Sequence, residues 1–305
     1  MFAKRKILVT GGAGFIGSHL IRRLIALSSD AVSLGGSREE AELVDGARYI
    51  FGDVSRETLE TVDFVPETIF HLAGGASVAA SLQNPSQDFL KSVYSSVVLL
   101  DFLRTNWPEA QVVFVSSAAI YGEAKQKKAH HDLTCLPVSP YGLHKKQVEA
   151  LLLDHARMYR TNSVILRPFS VYGPGLRKQL LWDALGKSSR GTFEFAGSGR
   201  ERRDWVYVSD LVECLLRISK YASVDVPVFN AGTCRGVPIR EVITELFSIA
   251  GLGRVPVFTG RHREGDPEHL VADDSVEGFL GPLFVTKLTD GLAAYVDWYR
   301  AAENR

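Results

Sequence analysis

Two tyrosines in this chain stand four residues before a lysine, Tyr121 before Lys125 and Tyr141 before Lys145. On a helix that spacing stacks the ammonium beside the phenol on one face. An isolated phenol, with a pKa of about 10, stays protonated near neutrality, and a neighbouring cation favours the phenolate. Such a pair can take the hydroxyl proton when hydride leaves a carbinol carbon. Only the second pair has the helix it needs: Ser139 can cap free amides and Pro140 suits the first helical position, whereas Gly122 opens a loop inside the first pair. Tyr141 and Lys145 are therefore the candidate base and its cation, and Tyr121 a decoy.

A hydride needs an acceptor, and the sequence offers a place for one. Gly11, Gly14 and Gly17, with Gly12 between them, follow a short apolar run and open a helix at Phe15-Ile16. Without Cβ atoms such a turn lets the backbone approach a pyrophosphate, which then faces the free amides and positive dipole end of the helix. An acid that would hold an adenosine ribose is expected about eighteen residues beyond Gly17, and Gly35 stands there instead. Ser37 and Arg38 offer donors for a 2′-phosphate, so NADP is favoured slightly over NAD. Asp53, with Val54, follows the third strand and is placed to meet the adenine. Leu72, Ala73 and Gly74 close the fourth.

These residues need a frame. Short β-branched runs at Ile7–Thr10, Ala31–Leu34, Tyr49–Phe51, Thr68–Leu72, Val112–Ser116 and Ser163–Leu166 alternate with amphipathic stretches, including helices over Asp88–Leu103 and Ser139–Arg160. That alternation predicts an α/β fold, a Rossmann-type doubly wound parallel sheet, with Ser163–Leu166 as its last core strand. After Pro168 the Gly-, Pro- and Arg-rich segments VYGPG, AGSGRERRD, AGTCRG and GRHREGDP read as loops of a smaller α/β region that shapes a substrate site. The expected division is a dinucleotide-binding domain over 1–168, rejoined by about 206–234, and a substrate region over 169–205 and 235–305.

Composition narrows the partners. Lys plus Arg and Asp plus Glu both total 35 in 305 residues, so no global field draws the chain to nucleic acid or an anionic membrane. Cys135, Cys214 and Cys234 are scattered and lack metal-ligand spacing. The adjacent His130 and His131 read as solvated loop histidines, and no metal is expected. The apolar run after the basic start reaches only from Ile7 to Val9, short of a signal peptide, and nothing later reaches membrane-spanning length. The cytoplasm is the expected location.

The segments ILVTGGAGFIGSHL, FGDV, IFHLAG, VFVSSAAIYG, SPYGLHKK, LRPFSVYGPG and RRDWVYVSDL occur in one order over most of the chain. In that order they resemble the NAD-dependent epimerase/dehydratase proteins, the extended short-chain dehydrogenase/reductases that act on nucleotide-activated sugars. The resemblance implies a Ser–Tyr–Lys triad at Ser117, Tyr141 and Lys145, substrate contacts from Ser117 and Ser170, and a diphosphate grip by Arg203 and Arg263. It implies a nucleotide-diphosphate sugar as substrate and a homodimer built on the helices over 88–103 and 139–160. Family dehydratases carry acids directly after the triad serine, where this chain has Ala118 and Ala119. Sugar dehydration is thereby disfavoured, and the expectation is a nucleotide-sugar epimerase passing through a 4-keto sugar. An NADPH-dependent 4-ketoreductase is the alternative, and a non-catalytic dinucleotide sensor ranks third. Ser170 and Ser92 stand where the family has asparagine, so substrate contacts there are expected to differ.

Overall fold

A computed structural model describes residues 2–37, 43–123, 128–261, 265 and 267–303. Six runs form strands of one sheet: β1 (Lys6–Thr10), β2 (Asp30–Leu34), β3 (Arg48–Ile50), β4 (Thr68–His71), β5 (Gln111–Val115) and β6 (Ser163–Pro168). Every pairing among them is parallel. Ile7–Val9, Ile69, Phe70, Val112, Val113 and Val164–Leu166 have no exposed surface, because a parallel sheet is covered by helices on both faces and its strands read as apolar runs. The spatial order is Val228–Ala231, β6, β5, β4, β1, β2, β3. The order reverses beside β1, so the carboxyl ends of β1 and β4 flank the switch point where such sheets bind ligands.

Two expectations need correction. The sheet does not stop at β6, since Val228–Ala231 lies beside it as a seventh strand; its VFNA sequence is too short and too polar to stand out. The helix expected over Asp88–Leu103 is also not uniform. It runs as Pro85–Phe89, a π turn over Leu90–Tyr94, and Ser95–Asn106. A π turn inserts one extra residue into the spiral. Here the Ser96 hydroxyl donates to the Ser92 carbonyl at 2.6 Å, and that of Ser95 to Lys91 at 2.6 Å, which satisfies acceptors that a regular helix would bond through amides.

The chain divides into two compact units, 1–120, 137–167 and 212–229 in the first, 121–136, 168–211 and 230–305 in the second. Within the first, the helix Pro140–Tyr159 is tied to β6 by Arg167, whose guanidinium donates to both oxygens of Glu149 at 3.0 and 2.7 Å. Ser116, at the end of β5, donates to the same carboxylate. All three side chains are buried, so the charges are paired where isolated ones would be costly.

The second unit holds more strand than expected from its loop-like texture. Ser170–Tyr172 pairs in parallel with Arg202–Tyr207, which also pairs with Gly236–Pro238 and His269–Leu270. The RRDWVY segment is thus the centre of a small sheet. Its charges are absorbed internally: Asp204 accepts from the amides of Thr233, Cys234 and Ala272. Residues 121–136 belong to this unit, where Ala129 bridges to Ala272. No helix among the described residues is long and apolar enough to cross a membrane.

Candidate active site

The glycine turn is packed as tightly as its composition suggests. A Cβ on Gly17 would overlap the Gly11 carbonyl oxygen and lie 2.6 Å from Gly12 Cα; one on Gly12 would lie 2.5 Å from Ser33 Oγ. At Gly14 the space is open, with only the Gly11 carbonyl near a Cβ position, at 3.2 Å. The helix Phe15–Ala26 that follows has no side-chain cap and no acid in its first turn, so its leading amides and dipole are kept for an external anion. Phe15 and Ile16 are half-buried beside it.

Around this turn stand the other residues assigned to a dinucleotide. Gly35 adopts φ +123°, and a Cβ there would lie 3.3 Å from the Gly11 amide; the backbone itself excludes the missing acid. Ser37 Oγ is buried without a hydrogen-bond partner among the described residues, an orphan that a bound ribose or phosphate would satisfy. Arg38 lies outside the described residues. Asp53 is exposed, while the Val54 side chain packs into the hydrophobic core, so Val54 has only its backbone to offer. The amides of Leu72 and Ala73 are held by Thr10, and Gly74, at φ +145°, turns its bare Cα toward Ser92 Oγ and Lys145 Nζ. The residues present fit a dinucleotide.

Next to this cradle lie Ser117, Tyr141 and Lys145. Ser117 follows β5, and the short 3₁₀ turn Ala118–Tyr121 presses on the start of the helix Pro140–Tyr159: a Cβ on Gly142 would lie 2.5 Å from the Ala119 carbonyl. Ser139 caps that helix by accepting from the Gly142 amide, and the Tyr141 amide donates to Ser81 Oγ at 3.0 Å. This packing brings the Ser117 hydroxyl near enough to the Tyr141 phenol to pull its pKa down. One turn on, Lys145 is buried, donates to the Val115 carbonyl at 3.0 Å, and lies 6.0 Å from the centre of the Tyr141 ring.

The electrostatics differ in one respect from the spacing argument. Burial pushes the Tyr141 phenol above its ordinary range, the Ser117 hydrogen bond pulls it down, and Asp88 pushes it up again. The principal influences do not include Lys145, whose ammonium is turned to Val115. Lys145 is itself brought down to about 8 by burial, against the upward pull of Asp88 and Glu149. Asp88 and Glu149, which sequence reasoning passed over, thus act on the site. An acid on an amphipathic helix carries no local sign that its partner lies dozens of residues away.

Other candidates fall elsewhere. Tyr121 is buried in the second unit, where its hydroxyl donates to Asn230 Oδ1 at 2.7 Å, and Lys125 lies outside the described residues. Ser170 is half-buried at the start of its strand. Arg263 lies outside the described residues. Arg203 is buried and donates to the carbonyls of Arg202, Pro267 and Glu268 at 2.9, 2.7 and 3.2 Å. These bonds fasten it to the segment just past Arg263. His131 is not simply solvated, since its Nδ1 meets Asp274 at 2.5 Å and Asp132 lies 3.2 Å from its Nε2.

A doubly wound parallel sheet, an uncapped glycine turn at its switch point and a Ser–Tyr–Lys group on one helix and the neighbouring strand end together define an extended short-chain dehydrogenase/reductase. Comparison makes this particular: the chain belongs to the NAD dependent epimerase/dehydratase family, whose model matches residues 7–232. It is 31% identical to the UDP-glucose 4-epimerase of Azospirillum brasilense, over 99% of this chain and 94% of that one. Among solved structures, the UDP-glucose 4-epimerase of Thermotoga maritima with UDP-glucose superposes with a TM-score of 0.89, at 31% identity over 98% and 99% of the two chains. MoeE5 in complex with UDP-glucuronic acid and NAD gives 0.85, at 30% identity over 97% and 99%.

Proposed function

We propose that this enzyme is a nucleotide-sugar 4-epimerase in which Tyr141 carries the proton. One observation carries the reading: Tyr141 and Lys145 stand one turn apart on one helix, the ammonium 6.0 Å from the centre of the phenol ring, in a chain that matches a UDP-glucose 4-epimerase over nearly its whole length. The dinucleotide, when bound, supplies a hydride acceptor that later returns the hydride. Tyr141 takes the proton of the sugar 4-hydroxyl and gives it back after the 4-keto sugar has turned, while Ser117 holds the reacting oxygen. The amides of the glycine turn, Ser37 and Lys145 hold the dinucleotide. Ser170, Arg203 and Arg263 serve the sugar nucleotide, Arg203 by steadying the segment beside Arg263. Ala118 and Ala119 have no proton to offer, which supports epimerisation over dehydration.

Relatives with NAD bound support NAD as the dinucleotide. Gly35 and the Ser37 hydroxyl, unpartnered among the described residues, support acceptance of NADP as well. Incubation with UDP-, dTDP-, GDP- and CDP-hexoses and their 4-keto-6-deoxy forms, with either dinucleotide, tests both points. The expected result is isomer formation with no net change in reduced nicotinamide. Stoichiometric NADPH loss with keto sugars alone would establish a 4-ketoreductase instead.

Phe89, Leu90, Tyr94, Val97, Leu143 and Leu153 are exposed on the two helical stretches assigned to a dimer, and apolar side chains in such number on adjoining helices favour a partner copy related by two-fold symmetry. Light scattering should give twice the 33.6 kDa chain mass, and Leu90→Glu should halve it. A wild-type monomer at working concentration would exclude the dimer.

A further inference from the structure

Asp88 and His144 form a buried pair that the proposed reaction does not use. Asp88 stands in the first turn of the short helix Pro85–Phe89, His144 stands between Tyr141 and Lys145 on the helix Pro140–Tyr159, and Asp88 Oδ2 meets His144 Nδ1 at 2.6 Å. The other carboxylate oxygen rests on Gly75, where a Cβ would overlap it. The adjoining Gly74 turns its bare Cα to Lys145 Nζ, which lies 3.5 Å from the Cβ position. Two adjoining glycines thus lie against a buried carboxylate on one side and a buried ammonium on the other.

The surrounding charges leave Asp88 with a distinct place. On the helix that faces it, Tyr141, His144 and Lys145 are near, Lys146 is exposed, and Glu149 is engaged with Arg167. The helix Val78–Gln83 packed beside it carries no titratable group. The π turn brings only Lys91 and Tyr94, both exposed. His71, which also faces Lys145, is kept neutral by burial, with its pKa lowered to about 3. An imidazole that donates through Nδ1 orients the carboxylate without cancelling its charge.

We propose that Asp88 is a positioning residue of the reaction: its carboxylate, aimed by His144 and seated on Gly75, is the counter-charge that keeps Lys145 an ammonium and Tyr141 a phenol between turnovers. The direction agrees with the upward pull of Asp88 on both groups. This rests on the reading of Tyr141 as the proton carrier, and it says why the site needs an acid that never touches the sugar. The enzyme would thereby release its phenolate only when the bound dinucleotide adds positive charge.

The test reads Tyr141 directly, without a sugar. In NAD-loaded enzyme carrying ring-labelled [13Cζ]tyrosine, the Tyr141 resonance is assigned by its loss in Tyr141→Phe and titrated in wild type, Asp88→Asn and His144→Gln. Removing one nearby buried charge should lower the Tyr141 midpoint in Asp88→Asn by about one pH unit, roughly tenfold in the protonation equilibrium. The pH profile of sugar turnover should move the same way. His144→Gln keeps a donor and the charge, and should produce no such downward shift. An unchanged midpoint in Asp88→Asn, or an equal downward shift in His144→Gln, would overturn the proposal. If Asp88→Asn does not fold, Asp88→Ser removes the same charge with a smaller side chain and is read by the same criteria. Because no sugar is present, the titration decides the role of Asp88 even in a chain that fails to epimerise.

Discussion

Tyr141→Phe should lower sugar turnover by about 10³-fold while dinucleotide binding stays near that of wild type. The substitution keeps the ring, which packs at the start of the helix Pro140–Tyr159, and removes the oxygen proposed to exchange a proton with the sugar. General acid–base groups contribute roughly 10²–10⁴-fold. Ser117 still accepts the Ala119 amide at 3.1 Å, so the strand end should hold its shape. Turnover and dinucleotide affinity measured side by side check both halves. Activity within a few-fold of wild type would remove Tyr141 from the reaction and leave no other phenol on this helix start to replace it.

Gly17→Ala should act on the other half of the site. Its Cβ meets backbone, the Gly11 carbonyl and Gly12 Cα, and backbone cannot swing aside as a flexible side chain can. The turn must open. Overpacking of this kind costs about 1–3 kcal/mol, which corresponds to roughly 5- to 150-fold in dinucleotide affinity if the strain falls on the bound state. Gly14→Ala, whose Cβ would meet only one atom at 3.2 Å, gives the comparison and should cost the turn less. Titration with NAD by calorimetry reads both variants, and equal affinity in Gly17→Ala and wild type would mean that the turn does not cradle the dinucleotide.

The parts of the molecule that could be read from the sequence are those whose cause is local. β1, β4 and β5 are runs of β-branched and aromatic residues because both faces of the sheet are covered. Ser139-Pro140 announces a helix because a cap and a fixed φ act within one turn. Where the cause is distant the sequence is silent. Arg202–Tyr207 reads as a charged loop because Asp204 finds its partners at Thr233 and Ala272. Arg203 looks like a free phosphate ligand because the carbonyls it serves belong to Pro267 and Glu268. Asp88 looks like a solvated acid until His144 is folded against it. The Tyr–Lys spacing placed Tyr141 and Lys145 on one helix, yet the influence of one on the other depended on where a flexible ammonium pointed, and that was decided by the Val115 carbonyl.

The π turn over Leu90–Tyr94 makes the length of this stretch as consequential as its composition. The turn already holds one extra residue, and each residue advances an α-helix by about 100°, so inserting a second would rotate all that follows relative to all that precedes. Leu99, Leu103 and Phe102, now buried, would swing away from the core, and Ser92 could no longer meet the Gly75 amide while Ser96 meets His71. A substitution here is a local change. A single-residue insertion is a change of phase, felt at the far end of Ser95–Asn106 and at the glycine loop beside Lys145 together, so this helix should tolerate drift in its letters far more readily than an added one.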